Sequence, residues 1–223
     1  MKNRTFKELS EFKRRRELLC QGNADSAFVL FSGPEPKWER FRAQSDFVYV
    51  TGFEEPDSIC VLLPGQDQPF HMFVRERDPS KEIWDGYRYG LEGVKDVFGA
   101  DKSYPIESFS KVFPELLRGI ERVHYSLNGS EDDFLVLRSM RHYIQTLGRT
   151  GRGLLPIHDP TDVIGEMRIK KSKQEIDWLR EACQLSAEAH VEAMKTVRPG
   201  MGEKDVQAIL FKGFYSQGAH REG

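Results

Sequence analysis

The sequence predicts an α/β fold with a mixed sheet flanked by helices, followed by a separate pair of long helices. Three observations predict it. Short apolar runs bounded by Gly, Pro, Asn or charged residues recur before Pro160 and read as strands. Amphipathic stretches lie between them and read as helices. Beyond Pro160 the pattern changes to a sustained helical period with clear start and stop signals.

Taken in order, Thr5 is placed to cap a first helix carrying Phe6, Leu9 and Phe12, with Lys13, Arg14, Arg15 and Arg16 on a solvated opposite face. Strands are expected at Ala27–Phe31, Phe47–Thr51, Ile59–Leu63, Phe70–Val74 and Val123–Leu127. Phe41, Phe47, Tyr49 and Phe53 lie near one of these strands and read as core packing rather than an aromatic recognition surface. Helices are expected at Leu91–Phe98, Ile106–Leu117 and Glu131–Leu147, the last with Ser130 as cap and Asp133 answering it. Residues 1–159 are read as one α/β domain, 160–171 as a linker and 172–223 as the start of a second domain.

That second part opens on Ser172-Lys173-Gln174-Glu175, a capping box in which the serine oxygen accepts from the Glu175 amide and the glutamate reaches back. Ile176, Leu179, Cys183, Ala187, His190, Met194 and Val197 then recur along one face of a helix of about 26 residues, roughly 39 Å long. Pro199-Gly200 ends it. A second amphipathic helix carries Val206, Ile209, Leu210, Gly213 and Phe214 and stops near Gly218. The apolar faces of both helices need cover that no residue after Gly218 supplies. Aggregation or dimerisation through them is expected, and truncation near Asp162 is expected to relieve it.

Composition excludes several classes of function. The 223 residues carry a net charge of -2, from 33 basic and 35 acidic side chains, which gives no electrostatic case for binding nucleic acid. No apolar run approaches the roughly 18 residues of a membrane span, and the charged N-terminus is unlike a signal peptide, so a cytoplasmic protein with no membrane partner is expected. Cys20, Cys60 and Cys183 are odd in number and far apart, which suits reduced core thiols. There is no His-Glu-x-x-His, Cys-x-x-Cys or Gly-x-Ser-x-Gly motif. The glycine-rich stretch from Gly148 to Gly153 lacks the Lys-Ser/Thr ending of a phosphate loop. His190 reads as a packed, hydrogen-bonded residue, His220 as part of a chain end, and His158-Asp159 as linker rather than a metal or relay pair. Trp84, in the polar stretch Lys81-Glu82-Ile83-Trp84-Asp85-Gly86-Tyr87-Arg88, leaves about 200 Å² of aromatic surface to be covered, either within its own domain or by something else. Arg77, Asp78, Glu82 and Arg88 read as ion pairs that fix this segment.

Two sets of residues carry a family resemblance. Glu166-Met167-Arg168, Lys171-Ser172, Glu175-Ile176, Leu179-Arg180, Ala189-His190, Ala193-Met194 and Arg198-Pro199-Gly200-Met201 resemble the opening of the catalytic domain of Xaa-Pro aminopeptidase, or aminopeptidase P. Phe41-Arg42, Ser45, Phe47, Tyr49, Gly52, Glu55-Pro56, Arg77-Asp78, Glu82, Trp84, Gly86 and Arg88 resemble its N-terminal domain.

The resemblance implies a creatinase-like N-terminal domain followed by an incomplete pita-bread domain. It implies a hydrolase that releases an N-terminal residue preceding proline, acting on peptides with proline in second position, as a homo-oligomer. Two divalent ions, usually manganese, would be held by aspartate, histidine and glutamate ligands beyond Gly223. This segment is therefore expected to hold no metal ligand and no catalytic residue, and to be inactive alone. By resemblance, Trp84 walls a substrate pocket across an oligomer interface and Arg152 matches an arginine near that pocket, its other reading being a solvated surface side chain. The alternative is a non-catalytic binding or oligomerisation module derived from the same fold.

Overall fold

The computed structural model describes residues 6–80, 82–148 and 153–219. Thr5, Arg152 and His220 lie outside the described residues, as does the centre of the Gly148–Gly153 stretch. The elements follow in chain order as α1 (Phe6–Cys20), β1 (Ser26–Phe31), α2 (Ser45–Thr51), β2 (Ile59–Leu62), β3 (Phe70–Val74), α3 (Glu82–Asp85), α4 (Gly90–Asp96) and β4 (Lys102–Pro105). A 3-10 turn at Ile106–Ser108 leads into α5 (Phe109–Leu116), β5 (Arg122–His124), α6 (Glu131–Thr146), β6 (Ile157–His158), α7 (Thr161–Ile169), α8 (Lys173–Thr196) and α9 (Glu203–Ser216). The chain divides into two compact units, Met1–Ile169 and Lys170–Gly223.

In the first unit the strands form one mixed sheet in the order β4-β3-β2-β1-β5-β6. The pairs β1·β2 and β2·β3 are antiparallel, whereas β3·β4, β1·β5 and β5·β6 are parallel. Central strands are buried on both faces, which is why their sequences are continuous apolar runs and not alternations. Phe28, Leu30, Cys60, Leu62 and Met72 pack on one face beneath α1, α2, α4 and α7. Ala27, Val29, Ile59, Val61 and Phe73 pack on the other beneath α5 and α6, through Phe109, Phe113, Val136 and Met140.

Several expectations need correction. Phe47–Thr51 is the body of helix α2, not a strand. Ser45 and Asp46 open it, and Gly52 closes it at φ +70° with its N–H on the Val48 carbonyl. A side chain there would be strained by the left-handed backbone, and its Cβ would lie 2.5 Å from the Phe12 ring. The core role of these aromatics holds nonetheless, since Phe47, Tyr49 and Phe53 are buried. Edge strands β4 and β6 lack the apolar run that marks a strand, because one is polar and the other has two residues. Strand β5 ends at His124, and Leu127 is exposed.

The basic run of α1 is not a uniformly solvated face. Lys13 and Arg14 are open to solvent, but Arg15 is 3% and Arg16 7% exposed. Arg15 donates to the Tyr49 carbonyl at 3.0 Å, and Arg16 to the Val50 carbonyl at 3.0 Å and the Phe98 carbonyl at 3.2 Å. These are carbonyls that the last turn of α2 and the chain after α4 leave without helical partners. Each guanidinium also lies over a ring, Arg15 on Tyr49 and Arg16 on Phe70, both at 4.0 Å. Burial draws the Arg16 pKa down to about 10, which still leaves it charged at neutral pH.

Ser130 stands at the N-terminus of α6 but forms no side-chain cap. Asp133 instead accepts from Gly129 N–H at 2.7 Å and from the Tyr125 hydroxyl at 2.7 Å, closing the turn before the helix. The segment read as a linker contains α7, whose Ile164 is fully buried in the first unit. Asp159 accepts from Thr161 N–H at 2.8 Å, at the start of that helix.

In the second unit the Ser172 capping box is formed in both directions, at 3.2 and 2.8 Å. Ala189 and Ala193 are the buried residues of α8, and Ala189 lies against Gly213 of α9. Ile176, Leu179, Met194 and Val197 are exposed, as are Cys183 and His190, so Cys183 is not a core thiol. Nδ1 of His190 lies 2.7 Å from the Ser186 carbonyl.

Arg16→Met removes the fork that serves two carbonyls and should lower unfolding free energy by about 2–4 kcal/mol, with Arg16→Lys intermediate. Urea denaturation reads this, and a wild-type midpoint for Arg16→Met would refute the capping role. A chain ending at Ile169 should remain folded and stay more monodisperse in size-exclusion chromatography than residues 1–223. A cut at Asp162 should do worse, because it removes Ile164 from the core.

Candidate functional site

The segment that leaves β3 is the part of the first unit where charged residues gather. Arg75 follows the strand directly and is clamped between two carboxylates, Glu35 at 2.6 Å and Asp57. Asp57 holds a left-handed backbone at φ +49°, a conformation in which its N–H reaches the Gly33 carbonyl at 2.9 Å. Glu35 also faces Arg88 at 3.8 Å, so one carboxylate spans the start and the end of the segment. The hydrogen bond from Arg75 holds the Glu35 carboxyl below its ordinary pKa.

Within the segment, Arg77 engages Glu82 through two bonds of 2.6 and 3.0 Å, and its guanidinium lies 5.0 Å from the centre of the Tyr87 ring. This is the planar fork geometry that arginine offers and lysine does not. Asp78 turns the chain by accepting from Ser80 N–H at 3.0 Å and its hydroxyl at 2.6 Å. Helix α3 follows, a single turn carrying Trp84 in its backbone. The Trp84 side chain lies outside the described residues, and its neighbour Ile83 is 82% exposed.

The segment is fastened to the core at its far end. Glu55, 2% exposed, accepts from Tyr89 N–H at 2.9 Å. The Tyr89 ring then packs edge-on against Phe98 at 4.9 Å and beside Phe53 at 6.0 Å. Burial pushes the Glu55 carboxyl above its ordinary pKa, an effect that the Tyr89 amide and the charges of Arg88 and Arg75 partly oppose. Between these anchors lies a cavity of about 610 Å³ walled by Arg75, Arg77, Glu82, Arg88 and Glu107.

The sequence placed Arg77, Asp78, Glu82 and Arg88 among ion pairs without naming partners; Arg77 pairs with Glu82 and Arg88 with Glu35, while Asp78 accepts from Ser80. It did not identify Glu35, Asp57 and Glu55 as the partners that hold the segment, because those contacts cross between loops. Acidic residues in Glu55-Pro56-Asp57, set between the apolar Phe53 and Ile59, were the available signal. Among the described residues, no three His, Cys, Asp or Glu side chains converge so as to hold a metal ion. The described part of the chain thus offers no donor set for the divalent ions that the resemblance implies. The chemistry of this site is that of a braced polar cleft that positions an exposed turn.

Comparison with known proteins gives concordant results. The family model described as aminopeptidase P, N-terminal domain, matches residues 12–124, and that of metallopeptidase family M24 matches residues 177–223. Xaa-Pro aminopeptidase of Escherichia coli is 32% identical over 94% of this chain and 49% of its own length. Human Xaa-Pro aminopeptidase 3 is 31% identical over 84% of this chain and 38% of its own. Aminopeptidase PepP of Pseudomonas aeruginosa superposes with a TM-score of 0.88 at 34% identity, covering 95% of this chain and 50% of that one. A zinc-substituted aminopeptidase P of Escherichia coli in complex with product gives 0.86 at 31%, over 94% of this chain and 50% of that one. The chain spans about half the length of these bacterial relatives.

The Glu55 anchor makes a prediction about pH. Because its folded pKa is raised, the unfolded chain ionises first as pH rises, so the Glu55 contribution to stability falls from the ordinary glutamate pKa upward through the folded value. Glu55→Gln keeps an acceptor for Tyr89 and should match or exceed wild-type stability at pH 8. Glu55→Ala strands a buried amide and should cost about 1–3 kcal/mol. Urea melts at pH 5 and pH 8 decide it, and a Gln variant weaker than Ala at pH 8 would sink the assignment.

Proposed function

We propose a function on the premise that the chain belongs to the aminopeptidase P family: it is the N-terminal portion of a metal-dependent Xaa-Pro aminopeptidase. The whole enzyme releases an N-terminal residue preceding proline, works in the cytoplasm as a homo-oligomer, and uses two divalent ions, manganese by preference. The observation that carries this reading is that both family models match the one chain in order, residues 12–124 and then 177–223. A single structural neighbour spanning 95% of the chain supports the same order of parts.

Within that enzyme the segment's role is to shape a pocket and an oligomer contact, not to supply the reacting groups. Trp84 and Arg152 are the residues assigned to that pocket. Support for Trp84 comes from its neighbours: the turn that carries it is held at both ends by Glu35, Arg75, Arg88 and the Glu55–Tyr89 bond, yet leaves Ile83 exposed. A braced backbone that leaves Ile83 exposed is suited to closing a pocket from outside. Chemistry would rest on a water activated by the two ions, and among the described residues no three His, Cys, Asp or Glu side chains converge to hold one. The proposed arrangement of parts is an N-terminal domain that runs through α7 to Ile169 and the opening of the catalytic domain over 172–223.

Hydrolysis of an Xaa-Pro tripeptide with added manganese tests the reading, comparing residues 1–223 with the full-length protein. Turnover by the full-length protein and none by residues 1–223 is expected. In the full-length protein, Trp84→Ala should raise KM roughly tenfold, about 1.4 kcal/mol of binding, with a smaller change in kcat. Turnover by residues 1–223 would place catalysis elsewhere, and silence of the full-length protein on every Xaa-Pro peptide would favour a non-catalytic module.

A further inference from the structure

Strand β5 ends on a histidine that the fold leaves without hydrogen bonds. His124 is 6% exposed, and neither ring nitrogen has a partner. Its ring lies flat on Phe28 of β1, with centroids 4.2 Å apart and planes 8° from parallel. On the other side, His158 of β6 is its register partner, 5.6 Å away. A neutral imidazole fits this place as an aromatic filler between strands. An imidazolium does not, because both of its N–H groups would lack acceptors.

The charged and titratable groups that act on it lie on β5, before β1, on β6 and on α7. Arg122 lies on β5 and Asp25 just before β1, and these two already pair with each other. His158 lies on β6, and Asp162 on the first turn of α7. Each of the two carboxylates is thus either committed to Arg122 or on the exposed start of a helix.

We propose that His124 is a pH-sensitive element whose protonation loosens the β5–β6 edge of the sheet and the seating of α7 that follows it. The edge is suited to this. Strand β6 has two residues, and its rungs from β5 are Val123 N–H to the Pro156 carbonyl and Tyr125 N–H to the His158 carbonyl, both 2.9 Å. Helix α7 begins three residues after His158 and is seated by Ile164. Burial first, then His158 and Arg122, hold the His124 ring below its ordinary pKa. The unfolded or locally open chain therefore takes the proton first as pH falls, and stability at this edge is lost downward from the ordinary histidine pKa.

Amide hydrogen exchange on residues 1–223 tests the proposal. After correction for intrinsic rates, protection of the Val123 and Tyr125 amides should fall by up to about tenfold per pH unit below about 6.5, the slope of one linked proton. In His124→Phe, which keeps the stack on Phe28, the slope at Val123 and Tyr125 should flatten. Amides in the β2–β3 ladder, which holds His71 with its own pKa lowered by burial, serve as the reference and should respond to pH alike in both proteins. An unchanged slope at Val123 and Tyr125 in the variant, or an equal change of slope in the β2–β3 ladder, would overturn the proposal. If the variant fails to fold, an NMR titration of the wild-type His124 ring decides the matter, and a midpoint at or above about 6.5 overturns it.

Discussion

Much of the first unit depends on two guanidinium groups placed where a helix runs out of partners. Helix α2 is seven residues long, too short to be stable by its own hydrogen bonds, and its last turn is buried. Water cannot serve carbonyls there. Arg15 and Arg16 of α1 reach them instead, so that α1 and α2 are fixed to each other by the same bonds that make burial of α2 tolerable. Arg16 extends the tie to the chain after α4 through Phe98. The positive charges also face the negative end of the α2 dipole. Tyr49 continues the link on the other side, donating from its hydroxyl to the Met167 carbonyl of α7 while its ring carries the Arg15 guanidinium. Four helices on one face of the sheet are thus joined through polar contacts made inside an apolar layer.

The same arrangement explains what could and could not be read from the sequence. The strands β1, β2 and β3 were legible because they are buried on both faces and are therefore written as unbroken apolar runs. Residues 47–51 are written the same way, in Phe, Val, Tyr, Val and Thr, and yet form a helix. The difference lies in what surrounds them: Gly52 in the left-handed conformation and two arginines distant in sequence by 34 residues each. A local reading weighs β-branched content and has no access to capping groups that arrive from another element. For the same reason charge alone points the wrong way at Arg15 and Arg16, while it describes Lys13 and Arg14 correctly. Arginine is the cation that burial can accommodate when carbonyls are waiting.

The candidate site was legible in part. Near neighbours in sequence, such as Arg77 and Glu82, pair by proximity, and a charged cluster of that kind was readable as ion pairs although its partners were not. Glu35, Asp57 and Glu55 act across loops, and only the fold brings them to Arg75, Arg88 and Tyr89. Together they fix both ends of the turn. Exposed ion pairs contribute little stability, but here several share partners and one end is sealed by a buried carboxylate. Their effect is on geometry, in that they hold the backbone of the turn in place.

The second unit is built on a different balance. Its start is strongly specified, because the Ser172 and Glu175 bonds satisfy two donors that a helix N-terminus leaves open. Its packing centres on small residues, Ala189, Ala193 and Gly213, with the His190 and Phe214 rings 6.5 Å apart. Small residues allow close contact between α8 and α9 but remove little apolar area from water, about 25 cal/mol for each Å² buried. Ile176, Leu179 and Met194 stay exposed on a helix whose sequence places them at regular spacing. A period of that kind encodes a face, and Ala189 and Ala193 are the part of it that is buried. The length and definition of α8 therefore come from its cap and its helical propensity, whereas the first unit draws its order from two packed faces of one sheet.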